Sequence, residues 1–347
     1  AQRGSPAARR TLMDFTEHID LASERLGGVV LTANDEFFAP KENLLKPAAP
    51  IWIADKYTDV GKWMDGWETR RRRIPGNDWC IVKLGVPGVI HGVVVDTAFF
   101  TGNFPEQCEI DACTLDGNPS LAQLEAPATK WKILLPKSDL AGGTRNLFAL
   151  KHSDRVTHLR LKIFPDGGVA RLRVHGEAVP DWKTLTRSGA EVDLAAVENG
   201  GWVIVSSDMF FGSRNNLIQP GRSTGMHDGW ETRRRRGPGH DWCIVRLGTA
   251  GKISRIEVDT SYFKGNFPES CSLEVCTAPR DLVDQEALIA LPWKEILPKE
   301  KLKADSLHVY EKELQESGEV THAQFRIYPD GGVARLRVFG TPARPPA

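Results

Sequence analysis

The sequence predicts an all-β protein made of two tandem, repeated jelly-roll β-sandwich domains. Three observations carry that prediction. The 347-residue chain repeats itself almost verbatim, its apolar residues recur with a period of two, and its 32 Gly and 22 Pro suit many turns between short strands.

The repeat sets the domain organisation. Asp65 to Gly85 and Asp228 to Gly248 share 18 of 21 residues at an offset of 163. The same offset pairs Asp96-Thr97 with Asp259-Thr260, and Gly102-Asn103-Phe104-Pro105-Glu106 with Gly265 to Glu269. An offset of 164 pairs Thr157-His158 with Thr321-His322 and Pro165 to Val174 with Pro329 to Val338. Upstream the offset is 173, so the first copy carries about ten extra residues near Ala48 to Trp63. A unit of about 160 to 175 residues is far longer than a solenoid repeat and reads as a complete domain. The expected division is an N-terminal extension over 1–15, a first repeat over 16–182 and a second over 183–347, with the boundary near Asp181 to Ala190.

Within a copy the strands are expected in order at Gly27–Leu31, Trp79–Leu84, Gly88–Asp96, Gln107–Leu115, Lys130–Leu135, Asn146–Lys151, Thr157–Phe164 and Val169–Val174. Leu159, Leu161 and Ile163 share one face of their strand, while His158, Arg160 and Lys162 share the other. Phe164-Pro165-Asp166-Gly167-Gly168 suits a tight turn. About eight short strands per copy is the count of a jelly roll. Leu12, Phe15, Ile19 and Ala22 permit a short leading helix.

Composition excludes several classes. Lys plus Arg and Asp plus Glu are both 45, so a globally basic nucleic-acid binder is not expected, and 41% hydrophobic residues exclude wholesale disorder. No apolar run reaches membrane-spanning length, and no signal-peptide core follows Arg3, Arg9 and Arg10. Neither membrane nor nucleic acid is expected as a partner, and a cytoplasmic location is. The six cysteines fall at Cys80, Cys108, Cys113 and Cys243, Cys271, Cys276, three per copy with no C-x-x-C. They fit neither a zinc finger nor a disulfide framework and read as reduced, buried thiols.

Alternating strand directions place three polar segments of each copy at one end of its sandwich. They are Asp65–Asn77, Thr97–Glu106 and Phe164–Gly168, with Asp228–His240, Thr260–Glu269 and Tyr328–Gly332 in the second copy. The arginine tetrads Arg70–Arg73 and Arg233–Arg236 are expected to divide their labour, some pairing carboxylates and others facing a ligand anion. Asp96 and Asp259 read either as catalytic carboxylates or as loop caps. Asn103 and Asn266 are first of all turn residues, and His158 and His322 serve equally as structural imidazoles or as proton carriers.

The duplicated DGWETRRRR-x-PG-x-DWCIV-x-LG, the GNFPE loop and PDGGVARLRV closely resemble the allantoicase family over nearly the whole chain. The resemblance implies two jelly-roll modules of galactose-binding-like type, a homo-oligomer, and a hydrolase of allantoin (purine) degradation that converts allantoate and water to ureidoglycolate and urea. That chemistry needs an acid for the leaving urea nitrogen, a base for water, and a cation for the substrate carboxylate. The acid–base candidates are Glu68, Asp96 and His158, with Glu231, Asp259 and His322. The substrate-binding candidates are Arg70, Arg71, Arg73, Asn103 and Arg171, with Arg233, Arg234, Arg236, Asn266 and Arg335. No obligatory cofactor is expected; a divalent metal that polarises the ureido oxygen has no ligand signature in the sequence. The competing class is a tandem sugar-binding protein, which would rest on aromatic platforms instead of ionisable groups.

Overall fold

The chain alternates as the sequence predicts, and a computed structural model describes residues 14–187 and 189–343. Its central element in the first repeat is Asp78–Asp96, a single 19-residue strand where two strands, Trp79–Leu84 and Gly88–Asp96, are expected. The first half of this strand pairs antiparallel with Val29–Ala33 and Val156–Phe164, in register Ile163↔Asp78 to His158↔Lys83. The second half pairs with Arg171–Ala178, from Arg171↔Asp96 to Ala178↔Gly88, and with Arg145–Ala149. The change of partners falls at Gly85 to Gly88, so one strand serves both layers of the sandwich. The chain passes that point without a reversing turn, and it packs tightly there: a Cβ on Gly85 would lie 2.6 Å from the backbone of Leu26.

Gln107–Cys113 and Lys132–Asp139 extend the first layer beyond Val156–Phe164. Ile19–Asp20 closes the second layer against Arg171–Ala178. Between the layers lie Cys80, Val82, Leu84, Ile90, Val93, Val95, Leu159, Leu161, Ile163, Leu172 and Val174, none more than 2% exposed. The second repeat reproduces this plan around Asp241–Asp259. The architecture is therefore the duplicated jelly roll that periodicity predicts. All six cysteines are free and buried.

The leading helix does not form. Phe15–Glu17 is a short 3-10 turn capped by Asp14, and the chain then runs extended through Ile19–Asp20. Ile19, Leu21 and Ala22 enter the core from this extended segment, an arrangement a continuous helix would break. Leu12 lies outside the described residues. The extra segment of the first repeat forms a small hairpin, Tyr57–Thr58 with Gly61–Lys62.

The two repeats meet through ion pairs and one stacked ring. Arg214 reaches Glu17 at 2.5 Å, Arg25 reaches Asp228 at 2.8 Å, and Arg246 reaches Glu177 at 2.6 Å. His18 stacks on Trp202 at 4.6 Å between centroids. Among the described residues no helix is long and apolar enough to cross a membrane.

Candidate active site

The three polar segments do converge. Trp67–Glu68 pairs with Gly168–Val169, so the arginine-bearing segment and the glycine turn form one two-stranded rim. Thr69 donates its backbone N–H to Gly167 O at 3.2 Å, and its hydroxyl oxygen accepts from Gly167 N–H at 3.1 Å. The third segment joins when Gly168 N–H donates to Asn103 O at 2.8 Å. The second copy forms the same rim through Trp230–Glu231, Gly332–Val333 and Asn266.

At the bottom of each rim a glutamate meets an asparagine. Asn103 Nδ2 donates to Glu68 Oε1 at 2.6 Å, and Asn266 Nδ2 donates to Glu231 Oε1 at 2.5 Å. Glu68 is 9% exposed. Burial pushes its carboxyl above the ordinary glutamate range, against the opposing effect of the Asn103 hydrogen bond. A carboxyl that holds its proton longer than usual is a suitable acid.

Each carboxyl opens into a cleft. In the first repeat a cleft of about 340 Å³ is bounded by Phe38, Trp52, Lys62, Phe99 and Asn103 around Glu68. Trp52 belongs to the extra segment and stacks on Phe99 at 6.0 Å, with Lys62 Nζ 4.7 Å above the Trp52 ring. In the second repeat a cleft of about 660 Å³ joins Glu231 and Asn266 to Phe211, Arg234, Arg235 and Lys301. Sequence reasoning did not single out Trp52, Lys62, Phe38, Phe211 or Lys301. The inserted segment was a signal for the first two, and the Lys301 to Asp139 difference between repeats was a signal for the last.

Part of each arginine tetrad pairs carboxylates, and Arg70 and Arg233, expected to bind substrate, are among the paired members. Arg70 is tied to Asp35 by its backbone N–H (3.0 Å), Nε (2.7 Å) and Nη2 (2.6 Å), and Arg233 is tied likewise to Asp208. Arg72 Nη1 pairs Asp78 at 2.6 Å while its N–H caps Asp166 at 2.8 Å; Arg235 repeats both contacts with Asp241 and Asp330. Arg71, Arg73, Arg234 and Arg236 are exposed and make no ion pair among the described residues. Of these, Arg234 lines the Glu231 cleft.

Several expected site residues stand elsewhere. Arg171 is 1% exposed and spends all three nitrogens on the protein: Nε on Ala48 O, Nη1 on Asp65 O and Ala170 O, and Nη2 on Asp65 Oδ2 at 2.8 Å. Arg335 does the same with Gly221, Asp228 and Ala334. Both lock the rim segments from behind, buried, with every guanidinium nitrogen already donating to the protein. Asp96 accepts the N–H of Ala98 at 2.9 Å and Asp259 accepts the N–H and hydroxyl of Ser261, so each caps its loop. Asp259 lines a separate crevice of about 90 Å³ with Arg335 and Arg337. His158 and His322 pair with Lys83 and Arg246, at the end of their strands opposite Phe164 and Tyr328. They are buried, and burial pushes each imidazole down to about 4, with Lys83 adding to this at His158 and Arg246 and Arg280 at His322. They do not enter the rim.

Among the described residues one group of donors could hold a metal ion, and it too lies off the rim. His18, His91 and Glu177 place ligand atoms within 4.8 Å of one another at the junction of the repeats. Glu177 there is already bonded to His91 at 3.1 Å and to Arg246 at 2.6 Å, contacts that hold its carboxyl down to about 2.

Fold and rim together define a tandem β-sandwich protein with one acid-bearing polar cleft per repeat. The allantoicase repeat matches residues 19–179 and again 192–343. An allantoicase of Dictyostelium discoideum is 49% identical over 93% of this chain and 87% of its own length, and a probable allantoicase of Burkholderia mallei is 47% identical over 94% and 96%. A crystal structure of allantoicase from Saccharomyces cerevisiae superposes with a TM-score of 0.78 at 38% identity, covering 94% of each chain. The chain belongs to the allantoicase family, and it is a hydrolase.

Proposed function

We propose that the chain hydrolyses allantoate to ureidoglycolate and urea, with the Glu–Asn pair of each rim at the reacting centre. The observation that supports this most is Glu68, a buried carboxyl held by Asn103 at the bottom of a cleft, with the half-buried Glu231 held likewise by Asn266 in the second repeat. Allantoate bears a carboxylate and two ureido groups on one carbon. The glutamic acid donates its proton to the nitrogen of one ureido arm while the nitrogen of the other pushes its lone pair toward the carbon. The C–N bond breaks, urea leaves neutral, and a carbon–nitrogen double bond remains. The glutamate, now ionised, takes a proton from water as the water oxygen bonds to that carbon, which restores the acid and yields ureidoglycolate.

The exposed guanidiniums Arg71 and Arg234 bind the substrate carboxylate in this reading, and Asn103 and Asn266 keep the acid oriented. Arg73 and Arg236 contribute positive potential at the mouth. The mechanism routes no step through a metal. Purified protein is expected to release one urea per allantoate consumed, and to do so after exhaustive treatment with chelator. Absence of urea from folded wild-type protein would refute the reading. Binding of a neutral sugar to the Trp52 platform, without any turnover, would favour the competing class.

A further inference from the structure

The two rims share a Glu–Asn pair but not their charge. Around Glu68 the cleft is walled by Phe38, Trp52, Met64 and Phe99, and among the described residues Lys62 is the one cation on its lining. That ammonium is already spent: Nζ donates to Ile53 O at 3.0 Å and to Ala54 O, and it lies over the rings of Trp52 and Tyr57. Around Glu231 the lining carries Arg234, Arg235 and Lys301. Arg235 is paired with Asp241 at 2.5 Å, whereas the side chains of Arg234 and Lys301 are exposed and have no hydrogen-bond or ion-pair partner among the described residues.

The backbone that places Lys301 is common to both repeats, and the side chain is not. In the second repeat Ser270 stands opposite Lys301 across an antiparallel pair, and the N–H of Leu302 donates to Glu269 O at 2.9 Å. In the first repeat Gln107 stands opposite Asp139, and the N–H of Leu140 donates to Glu106 O at 2.9 Å. Leu140 and Leu302 are both buried, so the two strand ends are anchored alike. Asp139 Oδ1 accepts from Gln107 Nε2 at 2.7 Å, a bond that ties the carboxylate to the neighbouring strand. Ser270 offers Lys301 no such hold, since its hydroxyl is buried and without a partner. A tethered anion in one copy is a free cation in the other.

We propose that Lys301 binds the substrate carboxylate together with Arg234, which makes the second rim the higher-affinity of two unequal sites. The assignment deepens the reading that allantoate is bound at the rims and rests on it. A single exposed cation is screened by water and salt, whereas two unpaired cations from separate segments of one cleft wall can share a carboxylate's two oxygens. Glu269 lines the same cleft, but its counterpart Glu106 follows the same GNFP turn in the first repeat, so it does not distinguish the copies. At the first rim Arg71 meets the carboxylate without a second free cation on the cleft lining.

The test reads turnover and binding separately, in full-length protein. In Glu68→Gln protein, where the second rim works alone, KM for allantoate should be about tenfold lower than in Glu231→Gln protein, where the first rim works alone. Adding Lys301→Met to Glu68→Gln should raise that KM about tenfold with kcat within about twofold, and adding it to Glu231→Gln should change neither. Lys301→Arg, which keeps the charge, should retain most of the affinity. The second arm is calorimetric titration of N-carbamoylglycine, which has one ureido group and one carboxylate, and of its neutral amide. Lys301→Met should weaken the tighter phase of binding of the acid about tenfold and leave the amide as in wild type. This arm needs no turnover, so failure of the reaction proposed at the two glutamates and failure of this assignment are distinguishable. Equal affinity for the acid in wild type and folded Lys301→Met, an equal loss for acid and amide, no saturable binding of the acid to wild type, or a lower KM at the first rim would overturn the proposal.

Discussion

Replacing Arg171 with methionine separates a structural guanidinium from a substrate clamp. The substitution keeps much of the side-chain volume and removes four hydrogen bonds, two of them to the carbonyls of Ala48 and Asp65. It strands the Asp65 carboxylate, 8% exposed, with the N–H of Ile51 as its one remaining donor. Removing one partner of a buried ion pair costs about 3–5 kcal/mol. For a domain of this size that corresponds to a fall in Tm of roughly 6–20 °C. Burial raises the Asp65 pKa, but the Arg171 and Ile51 hydrogen bonds outweigh it, so the folded value lies below the ordinary one. The stability it contributes is therefore present above the unfolded aspartate pKa of about 3.9 and fades as pH falls through the lower native value. The assay is calorimetry from pH 3 to 8 alongside steady-state kinetics. Wild type and variant should differ most at neutral pH and converge in acid. Asp65→Leu combined with Arg171→Met should recover much of the loss, because no charge is then left unpaired. An unchanged Tm with a large rise in KM for allantoate would refute this reasoning and return Arg171 to the substrate.

Three further outcomes follow from the same geometry. Asn103→Ala removes the hydrogen bond that opposes burial at Glu68, so the first-repeat acid should titrate at higher pH, moving the alkaline limb of its kcat/KM profile upward; this is best read in a Glu231→Gln background. Arg71→Ala and Arg234→Ala, which break no ion pair, should raise KM with little change in Tm, whereas Arg70→Ala should change stability by no more than about 1 kcal/mol, since its pair with Asp35 is on the surface. None of the six thiols should react with an aromatic disulfide in native protein and all six should react after denaturation; burial pushes Cys108 and Cys271 up to about 12.

Much of this fold was legible because its determinants are local. Period-two strands, paired turns and a duplicated sequence imply a duplicated sandwich, and alternating strand direction brought the three polar segments to one rim. The errors have physical causes. His158 lies six residues from Phe164 on the same strand, about 20 Å along it, so its strand was identified but not its end. Arg171 alternates with core residues and reads as outward-facing. Its burial depends on Ala48 and Asp65, more than a hundred residues away in sequence, folding over that face. Trp52 and Lys62 come from a segment without a counterpart in the second repeat, so the comparison that located the other rim residues was silent on them. The two expected strands at 79–84 and 88–96 fuse because Gly85 to Gly88 changes partners without leaving the ladder.

The most direct test of the account is urea release from allantoate by folded Glu68→Gln, Glu231→Gln and the double variant. Each single variant should lose part of the wild-type rate, and the double variant should lose essentially all of it while keeping the wild-type Tm within about 2 °C. Wild-type turnover in the folded double variant would contradict the claim that these two carboxyls carry the chemistry.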